Sequence, residues 1–337
     1  MLVDLFFKPF SEAKNKAVMV DGHNIDGLVL SHWKNNRTPP PLKADTSAES
    51  VLKLVTSGNA DKYIKELNVV TATHFDIDGF VGVAAILNPF FAKKNYDLLK
   101  RVAELGDFRK FKTDEMGIQA LKICCLINGL EYELYEAPFN EYRQGKRYKS
   151  VAKPKFEYFI PKLTDLIYNH ENYPAFYEDE YQKVLSDIEY IEKGKVTIEE
   201  FPKLDLSIIV SGRPLHYYAS FSYAKHDRVI SVIEPENYVE FEHKYYTWVD
   251  IVSRKTRPRI DLSDIADVLT EKESSQIKWF FTGIEDTAAM LYPSENSNIE
   301  KVNLYKSMYR RPRVQSTIPF EQIINLIKNV IREKDSN

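Results

Sequence analysis

Residues 69–86 read VVTATHFDIDGFVGVAAI, and no other stretch limits the possible folds of this chain so sharply. An apolar, β-branched run arrives at His74, Asp76 and Asp78, passes Gly79 and continues into a second apolar run. The first run reads as a buried central strand and the second as the helix that follows it. Charged groups cannot lie unpaired in either, so they belong at the tip of the strand. In open α/β sheets that tip is where ligands bind.

The surrounding sequence repeats the pattern. AVMV (17–20) is a short buried strand opening into DGHNIDG, and PPPLKADTSAESVLKLV passes from a Pro-rich loop into a helix. Thr46 or Ser47 is placed to cap that helix, with Glu49 three residues after Thr46 as in a capping box. DKYIKEL, FVGVAAILNPFFAKK (broken or kinked at Pro89), NYDLLKRVAEL and DEMGIQALKICCLING add helices. Residues 1–140 are therefore expected to form an α/β domain with a parallel sheet. Residues 141–203, basic and aromatic and then polar and amphipathic, read as a helical connector. From 204 the strand-like runs LSIIVSG, HYYASFSY, RVISVIE and YVEFEHKYYTWVDIVS precede a helix, DLSDIADVLTEKE, with Asp261 as its cap. Residues 204–300 thus predict a smaller mixed α/β domain, and 301–337 a C-terminal helical tail.

Composition narrows the classes of function. A formal net charge of −3 over 337 residues excludes a general polyanion binder and leaves room for a local basic patch. Cys124 and Cys125 are adjacent on an expected helix, poorly placed to bridge each other and without zinc spacing, so they read as core thiols of a reducing compartment. The N-terminus lacks a signal-peptide apolar region, and no run of about 18 apolar residues occurs. A soluble, cytoplasmic protein with no membrane partner is expected.

If extended backbone persists through the tip, His74, Asp76 and Asp78 share one face. Carboxylate oxygen with imidazole nitrogen and no thiol suits manganese or magnesium. The same residues also permit a plain polar turn.

THFDIDGFVGV resembles the first motif of the DHH phosphoesterase superfamily. KAVMVDGHNIDG is similar to its strand and Asp-His-His motif, and KADTSAESVLKLV to the helix start that follows. Here the latter two precede the first, so the resemblance implies a circularly permuted DHH-like domain. It implies a metal-dependent phosphoesterase that hydrolyses a phosphodiester or phosphoanhydride in a small nucleotide or short oligonucleotide. The cofactor would be Mn2+ (or Mg2+), held by His74, Asp76, Asp78, Asp21 and His23, with Asp107 as a bridge. Asp76, Asp78 and His23 would be catalytic. Gly22 replaces a ligand histidine of the motif, leaving His23, Asp26 or His32 to supply the contact; Asp45 is a spare carboxylate before a helix.

The segment from Tyr245 to Leu291 is similar to the DHHA1 substrate-binding domain that accompanies DHH domains, through Ser253, Arg254, Asp261, Ser263, Ile265 and Ala266. TGIEDTAA stands in place of its Gly-rich loop, keeping Gly283 and lacking the histidine. Ser253, Arg254 and Arg257 would bind substrate. Arg254, Arg257 and Arg259, on a strand leaving the interior, are chemically able to form a phosphate clamp. Arg143, Lys146, Arg147, Lys149, Lys153 and Lys155, interleaved with Tyr142, Tyr148 and Phe156, suit single-stranded nucleic acid. Two rival readings fit parts of the pattern. One is a haloacid-dehalogenase-like phosphatase with Asp76 as nucleophile; the other is a nucleotide- or metal-binding relative without turnover. WVDIVSR and SHW are also similar to segments of a bacterial family of unknown function.

Overall fold

Short apolar runs separated by polar turns make the first sheet. The computed structural model describes residues 5–13, 16–135, 152–295 and 306–336. The chain divides into two units, one of residues 1–181 and 249–255, the other of residues 182–248 and 256–337.

In the first unit, β1 (Phe6–Phe7), β2 (Ala17–Val20) and β3 (Gly27–Leu30) are followed by α1 (Ser47–Thr56), α2 (Ala60–Ile64) and β4 (Val69–Thr71). Helices α3 (Ile77–Leu87), α4 (Pro89–Lys94), α5 (Tyr96–Phe108), α6 (Glu115–Tyr135), α7 (Ala152–Phe159), α8 (Leu163–Tyr168) and α9 (Pro174–Glu192) complete the series, and α9 runs on past the unit's last residue. The sheet order is β1-β4-β2-β3, with every neighbouring pair parallel. β2 and β4 lie side by side, Val18 opposite Val70 and Met19 opposite Thr71, so Asp21 and His74 leave the sheet at one edge. β2 and β3 are also parallel, yet only residues 21–26 join them. Parallel neighbours ordinarily need a crossover of a dozen residues. Strands of four residues rise only about 10 Å, a distance that six residues can retrace.

Two local expectations meet the chain here. Thr46 caps α1, its Oγ1 accepting the Glu49 amide at 3.1 Å, while the Glu49 carboxylate pairs with Lys100 at 2.8 Å instead of closing a capping box. The extended backbone expected through Asp78 ends sooner. Asp76 is the N-cap of α3, its Oδ1 accepting the Gly79 amide at 2.7 Å, and Asp78 lies in the first helical turn. A Cβ at Gly82 would stand 2.6 Å from Val20 Cγ1 and 3.3 Å from Ala48 Cα, so this glycine lets α3 press against both β2 and α1.

The expected connector is not one piece. Phe156, Phe159, Leu163, Leu166 and Ile167 give its first half an apolar face that is buried in the first unit, beneath a polar composition. Cys124 and Cys125 are buried free thiols on α6.

The second unit contains β5 (Val196–Phe201), β6 (Leu206–Ser211), α10 (Tyr217–Tyr223), β7 (Arg228–Ile233), β8 (Tyr238–His243), α11 (Ser263–Lys272), β9 (Lys278–Phe281), β10 (Met290–Ser294) and α12 (Phe320–Ser336). Its sheet is mixed, in the order β5-β6-β7-β8-β10-β9, with β6 and β7 parallel and the other pairs antiparallel. HYYASFSY forms α10 rather than a strand, because His216 Nδ1 accepts the Tyr218 amide at 3.2 Å and starts a helix. YYTWVDIVS is likewise not a strand: it turns at Tyr245–Thr247, and only Val249 makes an isolated bridge, to Trp33. The expected tail is core, with Ile323, Ile327 and Ile331 of α12 fully buried among Leu206, Ile230, Phe241 and Leu269. Among the described residues no helix is long and apolar enough to cross a membrane.

Candidate metal centre

The carboxyl edge of the parallel sheet gathers six titratable side chains. Asp21 follows β2, His32 follows β3, His74 and Asp76 occupy the turn after β4, Asp78 starts α3, and Asp107 ends α5. His74 Nε2 lies 3.0 Å from Asp76 Oδ2 and 3.4 Å from Asp21 Oδ2. His32 Nε2 lies 3.3 Å from Asp21 Oδ1, 3.6 Å from Asp107 Oδ2 and 3.9 Å from Asp78 Oδ2. Two ligand-like groups result, Asp21–His74–Asp76 and Asp21–His32–Asp78, each with donor atoms within 4.8 Å of one another. Asp21 belongs to both, with one carboxylate oxygen toward each histidine. Its backbone is left-handed, φ +49°, a conformation that aspartate tolerates better than most residues.

The surroundings hold these groups rigidly. Asp78 accepts the Ser47 amide through Oδ2 at 2.8 Å and the Ala48 amide through Oδ1 at 2.9 Å, using two donors left over at the start of α1. Ser47 Oγ donates to Asp21 Oδ1 at 2.8 Å, and the Trp33 indole N–H donates to the same oxygen at 3.1 Å. His32 Nδ1 donates to the Asp45 carbonyl at 2.8 Å. The Thr73 hydroxyl gives its proton to the Asp21 carbonyl at 3.2 Å, so His74 Nδ1, 3.1 Å from that hydroxyl, donates to it. Both rings therefore aim Nε2 at carboxylates, as metal-binding histidines held from behind do.

Charge in this space is coupled. Burial opposes ionisation of Asp21, but the His32 ring 3.3 Å away, the charge of His74 and the hydrogen bond from Ser47 outweigh it and hold its pKa at about 2. Burial disfavours a charged His32, yet Asp21, Asp107 and Asp78 push its pKa up to about 10. Burial, with Asp21 and Asp76 adding, raises Asp78 to about 7 against the pull of His32. Burial and the neighbouring carboxylates push Asp107 well above the usual range. Such a cluster demands positive charge, from a proton on imidazole or from a cation. Asp21 Oδ2 and Asp107 Oδ2 are buried and receive no hydrogen bond. With an all-oxygen-and-nitrogen donor set, the residues fit a hard divalent cation.

The remaining expected residues lie elsewhere. His23 is exposed, its ring edge-on to Trp33 at 4.7 Å, and it enters neither ligand group. A Cβ at Gly22 would stand 2.6 Å from Met19 Sδ and 2.7 Å from Thr73 Cγ2, so the packing leaves no room for a ligand side chain there. His32, after the next strand, brings an imidazole beside Asp21 and Asp78 instead. Asp26 is exposed. Asp45 neither caps α1 nor joins the cluster; its Oδ1 accepts the amides of Val252 at 2.7 Å and Ser253 at 2.9 Å.

Ser253 and Arg254 thus belong to the first unit, with Arg254 exposed and its Nη1 donating to the Lys255 carbonyl at 3.3 Å. Arg257 and Arg259 belong to the second, so the three arginines do not share one unit. Arg257 pairs with Asp335 at 3.0 Å, and Arg259 donates to Thr247 and to the carbonyls of Ile284, Asp286 and Thr287, which makes it a tie for that loop. Of the basic aromatic stretch, Tyr142, Arg143, Lys146, Arg147, Tyr148 and Lys149 lie outside the described residues. Lys153 pairs with Glu12 at 2.9 Å, Lys155 is buried against Glu131 at 2.6 Å, and Phe156 packs on Phe7 and Phe75.

Nothing in the sequence pointed to contacts of Ser47 and Trp33 with Asp21; Ser47 read only as a candidate cap. The one available clue was SHW directly after the apolar run LVL, the same apolar-to-polar step that marks His74.

An α/β protein with a buried carboxylate–imidazole cluster at the carboxyl edge of a parallel sheet is the class that fold and site define. The chain belongs to a family of unknown function, DUF6687, whose model matches residues 4–337. No curated protein and no solved structure matches it.

Proposed function

We propose that the protein is a metal-dependent phosphoesterase, which hydrolyses a phosphodiester or phosphoanhydride with Mn2+ or Mg2+ held at this cluster. The observation that carries the reading is Asp21, whose two oxygens are divided between His74 and His32 at 3.4 and 3.3 Å, as a carboxylate shared by two cation positions would be. His74 and Asp76 would hold one position, and His32, Asp78 and Asp107 the other. A bound cation would lower the pKa of water and offset charge on the phosphoryl oxygens.

The side chains of His74 and Asp76 are each 14% exposed, whereas those of His32 and Asp78 are fully buried, so substrate meets the His74 side first. Asp76 Oδ2, 3.0 Å from His74 Nε2, would be its ligand atom on that side, because Oδ1 is held by the Gly79 amide. Asp78, fixed by two helix amides, keeps the inner position from moving. Arg254, exposed on a segment that Asp45 anchors to this same unit, would bind a substrate phosphate, with Ser253 beside it. The resemblance of three segments to DHH phosphoesterases gives the same reading, and parallel neighbours β2 and β4 are compatible with its permuted order. Engagement of Asp76 Oδ1 by the Gly79 amide and of Oδ2 by His74 weighs against a haloacid-dehalogenase-like nucleophile.

Calorimetric titration of Mn2+ into wild type and Asp21→Asn tests the reading, followed by assays on short RNA, single-stranded DNA, cyclic dinucleotides and pyrophosphate. Wild type should bind, and the variant should lose roughly 100-fold or more in affinity. Absence of binding by wild type, or equal binding by the variant, would overturn it.

A further inference from the structure

We infer that the two cation positions are unequal: the His74 position loads first, and the His32 position fills only at a higher concentration of divalent cation. This order of loading rests on the proposed cation site and adds its control by free cation. Ser47 and Trp33 set the order, as positioning residues that act on the cation through Asp21.

The inequality lies in the two oxygens of Asp21. Oδ2 is buried, faces His74 Nε2 at 3.4 Å and receives no hydrogen bond. Oδ1 already accepts two, from the Ser47 hydroxyl at 2.8 Å and the Trp33 indole N–H at 3.1 Å. A carboxylate oxygen has two lone-pair sites, so those of Oδ1 are both taken. Yet Oδ1 is the oxygen that lies 3.3 Å from His32 Nε2. A cation beside His32 must therefore displace or weaken a hydrogen bond to reach Asp21. A cation beside His74 meets a bare oxygen.

The other carboxylates divide in the same way. Asp76 gives Oδ1 to the Gly79 amide at 2.7 Å and turns Oδ2 toward His74 at 3.0 Å. Asp78 has both oxygens engaged, Oδ2 by the Ser47 amide at 2.8 Å and Oδ1 by the Ala48 amide at 2.9 Å. Ser47 thus holds two carboxylates of the inner group, Asp78 with its amide and Asp21 with its hydroxyl. Asp107 Oδ2, 3.6 Å from His32 Nε2, receives no hydrogen bond and keeps the inner position fillable. Access acts in the same sense. The side chains of His74 and Asp76 reach solvent and those of His32 and Asp78 do not, so an arriving cation meets the outer position first.

The experiment titrates Mn2+ into the metal-free protein by calorimetry, with free ion counted in parallel from its electron paramagnetic resonance signal. Wild type should bind two ions in steps roughly 10-fold or more apart, the scale of one charged hydrogen bond. Ser47→Ala and Trp33→Phe each remove one donor from Asp21 Oδ1, and each should narrow the gap by tightening the weaker step. His74→Gln should abolish the tighter step and keep the weaker one. The two donor variants are independent, so the test survives the failure of either to fold. Two equal steps in wild type, a single ion at every concentration, or a gap that neither donor variant narrows would overturn the order and leave cation binding standing. Absence of Mn2+ binding by wild type would overturn the metal-dependent reading and the order with it.

Discussion

The main-chain carbonyl of Asp45 accepts the Nδ1 proton of His32 at 2.8 Å, while the carboxylate of the same residue holds the amides of Val252 and Ser253. A carbonyl only accepts, so the ring must carry a proton at Nδ1, and it presents Nε2 to Asp21, Asp78 and Asp107. One aspartate therefore fixes a buried histidine with its backbone and an arginine-bearing segment with its side chain. Asp45→Ala separates the two tasks. It should leave Mn2+ affinity within a factor of about two, since the carbonyl remains, and lower stability by about 1–2 kcal/mol. Limited proteolysis should show faster cleavage around residues 250–255. A large loss of metal affinity would mean that His32 depends on the side chain after all.

Asp107 should act oppositely on stability and on binding. Its buried carboxyl, crowded by Asp78, Asp76 and Asp21, is costly without a cation. Asp107→Asn is therefore expected to raise the urea midpoint of the metal-free protein and to weaken Mn2+ binding by roughly 10-fold or more. A purely structural ion-pair network would lose stability instead, and parallel denaturation and calorimetry distinguish the two.

Gly22→His would rebuild the motif that the sequence resembles, yet it should not add a ligand. The new Cβ meets Met19 Sδ and Thr73 Cγ2 at 2.6 and 2.7 Å, an overlap expected to cost roughly 1–3 kcal/mol. Lower stability with no gain in Mn2+ stoichiometry is the expected result; an additional bound ion would contradict the packing argument.

His243, on β8, gives the second unit a pH signature. Burial and the charges of Arg259 and Arg228 depress its pKa from 6.5 to about 3, and its neutral Nε2 accepts the Ile260 amide at 3.1 Å. A depressed histidine binds its proton more readily in the unfolded chain. Its contribution is whole above pH 6.5 and is lost as pH falls toward 3. At pH 5 that loss is roughly 2 kcal/mol. Urea unfolding of wild type and His243→Gln at pH 7.5 and pH 5 should differ by that amount, the variant being less sensitive to acid. Identical pH slopes would show that the ring is not kept neutral.

Legibility followed the physics of each segment. β2, β4 and α3 announced themselves because buried elements of a parallel sheet are apolar on every side, and their ends stand out against that background. Thr46 was readable because capping depends on only four residues. His32 was visible just as one of three alternatives, since nothing local says that Gly22 lacks space; that follows from Thr73, fifty residues on. Nothing local placed His23 outside both ligand-like groups either. HYYASFSY and YYTWVDIVS have the aromatic content of strands, but a capping His216 and a turn at Tyr245 decided otherwise. Sequence proximity grouped Arg254 with Arg257 and Arg259, whereas hydrogen bonds to Asp45 assign its segment to the first unit.

The short return between β2 and β3 bears on how the site is made. Asp21 and His32 come together across a separation of only eleven residues, without waiting for a distant helix to cross over. Contacts that close in sequence form early in folding. The last donor, Asp107, is synthesised long before the second unit begins at residue 182. A growing chain emerging from the ribosome thus carries every side chain of the cluster before residues 249–255, which bridge Trp33 and bond to Asp45, have been added to the first unit. If the cluster holds a cation as proposed, its capture on that nascent chain would stabilise residues 1–181 by mass action ahead of that last segment.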